Sequence, residues 1–214
     1  MKFLMLIYLL YLFGIGVYGA VKYKSLTAPF KLLLLFIAYT FFSDISGRIG
    51  YYLGVGSTYP LYHINSWVFI SVNALIYLKL FPTNRSLKKS ILLISIGCFL
   101  IAFLNTLLHQ DFNTFPNFSI AAHAFQSIFL SLLIFKEMLK KPTETKLIQQ
   151  AVFWFVLGTL IFYSLNFMGF VFYNEFNNYS INSKWFYFLN WGGNMFLASC
   201  YLIALYLNQK QQYE

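Results

Sequence analysis

Charge is what this sequence has least of. Only 10% of its 214 residues are Asp, Glu, Lys or Arg, and six of them are acidic, too little polar surface to clothe a water-soluble domain. Cysteine is nearly absent. Cys98 and Cys200 are the two; both fall inside apolar runs, and neither matches a CxxC or zinc-ligand spacing. Packing is therefore their reading, and the redox compartment stays undetermined. No GxGxxG, P-loop or GxSxG element occurs, so no nucleotide site or serine-hydrolase elbow is encoded in the usual form. Every lysine lies in a loop or near the end of an apolar run, which leaves a retinal Schiff base without an attachment point. No other cofactor is expected.

What is present is apolar: 59% hydrophobic residues, 22% of the chain aromatic. A helix rises about 1.5 Å per residue and the hydrocarbon core is about 30 Å thick, so each span consumes roughly 20 residues. Seven spans use nearly the whole chain, at approximately 3–21, 30–53, 62–81, 90–108, 119–139, 148–173 and 185–207. The expected architecture is all-α: one polytopic domain over residues 1–214, a seven-transmembrane-helix bundle. The first run is too long for a cleaved signal peptide and reads as an uncleaved span.

The net charge of +9 does not point to nucleic acid, because the bases sit in short clusters between apolar runs. Lys22, Lys24, Lys31, Lys79, Arg85, Lys88, Lys89, Lys136, Lys140, Lys141, Lys146 and Lys210 fall on one side of the seven spans. Lys2 and Lys184 fall on the other. By the positive-inside rule the N-terminus is outside and the C-terminus inside, in a cell membrane taken to be the bacterial inner membrane. The outer connections carry turn residues instead: Gly54, Gly56, Ser57 and Pro60 after span two, Asp111, Asn113 and Pro116 after span four, and an Asn-rich stretch from Asn174 to Lys184. Asn117-Phe118-Ser119 and Asn178-Tyr179-Ser180 on that side fit the glycosylation pattern, which matters only in a glycosylating secretory system.

Span two carries an acid, Asp44, and a base, Arg48. Four residues apart, they share one helical face, and intramembrane charge is a functional hypothesis by default. Asp44 stands 14 residues beyond Phe30, roughly 21 Å from the inner end of the span. His63, Asn65, Asn105, His109, His123, Gln126, Asn166 and Asn190 also fall in the outer halves of their spans, with Asn73 and Asn194 nearer the middle. This asymmetry predicts a polar cavity in the outer half. The plainer alternative is that amides and histidines stitch membrane helices together, at about 0.6 to 2 kcal/mol each, with no ligand involved.

Two chemical alternatives follow. His63, His109 and His123, with Asp44, offer zinc ligands at similar depth, the plan of the ceramidase and progestin-receptor-like membrane hydrolases. Span seven here has no histidine and no HxxxH pair occurs, so no metal is assigned. As an enzyme, the chain would be a membrane-embedded lipid hydrolase with Asp44 and His63 as acid and base. As a small-solute transporter, it would depend on Asn73 and Asn194 near the midplane.

Three stretches carry a resemblance: Pro60-Leu61-Tyr62-His63 opening span three, Phe153-Trp154 with Gly158 and Asn166 in span six, and the Asn-containing span seven. In these, the chain resembles a group of uncharacterised bacterial seven-transmembrane-helix proteins, some of which are like the membrane part of sensor kinases. Pro29 to Leu35, ahead of the acid-bearing segment, with His63 after it, is also similar to lysoplasmalogenase-like membrane hydrolases, whose Gly-rich and Asp-rich surroundings are not reproduced. Neither resemblance assigns an activity; the polar asymmetry, together with the absence of catalytic motifs, leads to the expectation of a receptor- or sensor-like module. Its outer cavity would bind a small-molecule or lipid ligand, and its basic inner loops would meet a cytoplasmic or membrane protein partner or anionic lipid. A reporter fused after Leu139 is expected to give a cytoplasmic signal; a periplasmic or extracellular one overturns the orientation.

Overall fold

Eight α-helices carry the chain in the computed structural model, which describes residues 2–54, 57–80, 84–140, 146–178 and 184–210. Gly56, Pro82, Lys141, Pro142 and the Tyr179-Ser180 pair lie outside them. The helices are α1 (Lys2–Val21), α2 (Ala28–Tyr52), α3 (Tyr59–Leu80), α4 (Arg85–Leu108), α5 (Asn117–Lys140), α6 (Ala151–Val171), α7 (Tyr173–Asn178) and α8 (Lys184–Lys210). Single 3-10 turns at Tyr23–Ser25 and Leu147–Gln149 lead into α2 and α6. Among the described residues, six helices are long and apolar enough to cross a membrane, and the apolar stretch Leu6–Val21 of α1 is a shorter seventh. The chain is a multi-pass helical membrane bundle.

The helix boundaries have local causes. Pro29 and Pro60 each stand at the second residue of their helices, where a missing N–H costs nothing. Asn84 caps α4, its side chain accepting from the Leu87 amide at 3.0 Å. Gly54, with φ of 70°, turns the chain out of α2 in a conformation that suits glycine. The expected sixth span stops at Val171, and part of the Asn-rich connection forms α7 instead of open loop. Within the spans, hydroxyls donate to the carbonyl one turn back, as in Thr40 to Phe36, Ser66 to Tyr62 and Thr159 to Phe155. Lipid offers them no other acceptor.

Cross-helix bonds group the helix ends. At one end, here termed proximal, Asn208 of α8 accepts from the Thr27 amide (2.9 Å), Tyr18 donates to Gln209, and Asn84 donates to Glu137. At the distal end, Asn117 donates to the Val171 carbonyl and Asn174 to the Phe115 carbonyl. The helices run in a ring, α1 beside α2 and α8, α2 beside α3, α5 beside α3 and α6, and α6 beside α8; α4 lies outside, against α3 and α5. The outer face of α4 exposes Leu93, Leu100, Leu104 and Leu107, and such faces meet the lipid.

The proximal half is solid. Leu33, Tyr77, Leu130, Ile134, Phe155, Val156 and Leu205 are all at most 1% exposed, with the Tyr77 hydroxyl against Ser131 at 2.7 Å and Tyr201 against Thr159 at 3.1 Å. Since lipid tails are as apolar as leucine, close packing holds such helices together more than exclusion from water does. In this half α6 and α8 pack closely: a Cβ on Gly158 would stand 2.5 Å from the Cβ of Cys200. Gly158→Ala is expected to lose about 1–3 kcal/mol by overpacking. Gly97→Ala, where a Cβ meets nothing within 4 Å, is expected to be neutral or stabilising by up to about 1 kcal/mol. Thermal unfolding of the purified variants checks this, and equal melting temperatures contradict the α6–α8 account.

Candidate functional site

The distal half is hollow. A cavity of about 480 Å³, within the range of small-molecule pockets, lies inside the ring of helices. Tyr8 and Leu12 of α1, Thr40, Asp44 and Arg48 of α2, and Asn65, Ser66 and Phe69 of α3 form one side. His123 of α5, Phe162 and Tyr163 of α6, Tyr173 of α7, and Asn190, Trp191, Asn194 and Tyr201 of α8 form the other. Every helix except α4 contributes. Along α2 the lining runs from Phe36 to Arg48, about 18 Å, and it ends proximally where the packed core begins.

Thr40, Asp44 and Arg48 recur every four residues, so one face of α2 supplies the polar wall. Asp44 and Arg48 are both half-buried, yet they form no ion pair with each other; among the described residues the one ion pair is Lys140 with Glu137, at the proximal end. Neither charge accepts or donates a hydrogen bond among the described residues. No other Asp, Glu, Lys or Arg is found among the residues lining the cavity.

The expected site residues divide into two groups. Asp44, Arg48, Asn65, His123 and Asn190 meet at the cavity. Asn65 is held in place, accepting from Tyr39 and donating to Ser43, both at 2.7 Å. Asn190 accepts from Asn194 at 2.9 Å. His123 packs between the rings of Phe69 and Tyr163, with centroids 5.5 and 4.9 Å away, and its buried Nε2 has no hydrogen-bond partner among the described residues.

His63, Asn105, His109, Gln126 and Asn166 are not among the lining residues. His63 is fully buried. Its Nε2 lies 3.1 Å from the Thr114 carbonyl, which can only accept, so Nε2 carries the proton, and Nδ1 meets the Thr106 hydroxyl at 2.8 Å. Both ring nitrogens thus serve to fasten the α4–α5 connection to α3 and α4, and His63 does not join Asp44 as an acid–base pair. Asn105 donates to Gln110 and Ser119, and Gln110 continues to the Phe115 carbonyl and to Asn117. His109 is the exposed residue that ends α4. Gln126 ties α5 to α3 and α4 by donating to the Ile70 carbonyl and Ser95, while Asn166 donates back to the Phe162 carbonyl. Asn73 donates to Ser127. Among the described residues, no group of three His, Cys, Asp or Glu could hold a metal ion.

Tyr8, Thr40, Tyr62, Trp191 and Tyr201 line the cavity as well. The signal for Thr40 was its spacing from Asp44. The aromatic residues carried none, since Tyr and Trp near span ends read equally well as interface anchors.

Comparison with protein-family models, with curated proteins and with solved structures finds no match to this chain. Fold and cavity together define its class: an integral, multi-pass helical membrane protein with an aromatic-walled cavity, polar along one face of α2, in one half of the bundle.

Proposed function

We propose that the protein is a receptor- or sensor-like module whose cavity opens to the outer face of the bacterial inner membrane and binds a small ligand. The distal end is then the outer end, as the distribution of bases requires. The observation that carries this reading is the pair of charges in the cavity wall. Asp44 and Arg48 line the space on one helical face and form no ion pair, although their spacing allows one. Charges kept in a bilayer with neither an ion pair nor a hydrogen bond to the described residues cost stability, and a ligand that meets them offsets that cost.

A sensing role also suits the walls. A ligand seated among seven of the eight helices touches most of the bundle at once and biases their relative positions. The basic inner loops then present the change to a cytoplasmic or membrane partner, or to anionic lipid. The packed proximal half around Tyr77 and Phe155 favours a receptor over a transporter, because it closes the cavity toward the inner side.

Cysteine accessibility in intact cells tests the reading. Asn194→Cys, in the cavity wall, is expected to react with a small membrane-impermeant thiosulfonate from outside, whereas Ser131→Cys, fully buried beside Tyr77, is not. An Asn194→Cys variant that reacts only after the cells are permeabilised contradicts it.

A further inference from the structure

Because the lining residues carry one acid and one base, the cavity selects against any ligand with a single charge. An anion would satisfy Arg48 and leave Asp44 with a like-charged neighbour; a cation would do the reverse. Each leaves one charge uncompensated in a poorly screened site, where that is costly. A ligand that carries both charges compensates both.

The order of the wall is also specific. Arg48 lies one turn beyond Asp44 toward the distal end, and with no ion pair between the two, each head group is left for a different part of a ligand. Proximal to both come Leu12, Ile37, Phe162, Leu197, Ala198 and Tyr201, a largely apolar floor in which the Tyr201 hydroxyl is engaged by Thr159. From Asp44 to Ile37 the wall is seven residues tall, roughly 10 Å. The rings of Tyr8 and Trp191, in edge contact at 5.9 Å, stand in the same cavity and suit an ammonium group. A guanidinium in turn suits a carboxylate, which it can hold by two parallel hydrogen bonds.

Resting on the receptor reading above, we propose that the ligand is a small amphiphilic zwitterion ordered apolar group, then ammonium, then acid: the apolar group on the floor, the ammonium at Asp44 and the acid at Arg48. An N-alkyl betaine has this order along its chain, and an α-amino acid with an apolar side chain, whose ammonium and carboxylate branch from one carbon, can present its groups in it. A phosphocholine amphiphile has the reverse order, with its acid next to the apolar chain.

The test uses the full-length protein in nanodiscs and reads the fluorescence of Trp191, with Trp191→Phe as the blank. The probes are 2-aminooctanoate, N-hexyl-N,N-dimethylglycine, hexylphosphocholine, hexyltrimethylammonium, heptanoate and glycine betaine. At least one of the first two is expected to bind about tenfold or more tighter than each of the other four, and the better of the two separates an amino acid from an alkyl betaine as the source. Asp44→Asn is expected to shift the preference to heptanoate and Arg48→Gln to hexyltrimethylammonium, a crossover that a merely structural pair would not produce. Preference for hexylphosphocholine, for a singly charged probe or for the chainless glycine betaine overturns the proposal, as does equal weakening of all probes by both variants. If no probe binds while Asn194→Cys still reacts from outside, the zwitterion assignment fails and the open cavity stands. If neither occurs, both fail.

Discussion

In a bilayer no water waits to take up a hydrogen bond, so a polar group must find its partner within the protein. Much of this structure is arranged to that end. Serines and threonines donate to their own helices, Tyr77 meets Ser131, Gln126 bridges α5 to α3 and α4, and His63 has both ring nitrogens engaged. Against that background the Asp44–Arg48 face of α2 stands out, two charges on one wall of a cavity with neither an ion pair nor a hydrogen bond among the described residues, across from His123, whose Nε2 is likewise unmatched there. In the proposed receptor, these two residues are the place where a ligand binds.

The bundle divides into halves with different work. Proximally, aromatic and aliphatic side chains fill the interior, and α6 and α8 approach so closely that Gly158 has no room for a Cβ. Distally, the helices enclose space, and the connection after α4 is fastened by the His63, Asn105, Gln110 and Asn117 network to the helices around it. That network steadies the rim of the cavity, so most of the distal polar residues serve the site by holding its frame.

The membrane class and the helices were legible in the sequence because a span's requirement is simple: enough apolar residues in a row. Depth was legible too, since counting residues along a helix places Asp44 and Arg48 in one half. Which way each side chain points was not. His63 and His123 sit at comparable depths, yet one is locked to a loop and the other lines the cavity, and that depends on the rotation of α3 and α5, whose apolar residues lie all round. The aromatic wall escaped for a related reason, as Tyr8 and Trp191 have the composition of membrane anchors yet line the cavity.

The central claim is that Asp44 and Arg48 are held for a ligand and do not hold the bundle together. The most direct measurement is the unfolding free energy of ligand-free protein carrying Asp44→Asn or Arg48→Gln alone. Each variant is predicted to stay within about 1 kcal/mol of the parent or to exceed it, as when a functional charge is removed at no cost to packing. A loss of about 3–5 kcal/mol in each, the signature of a broken buried ion pair, would contradict the account.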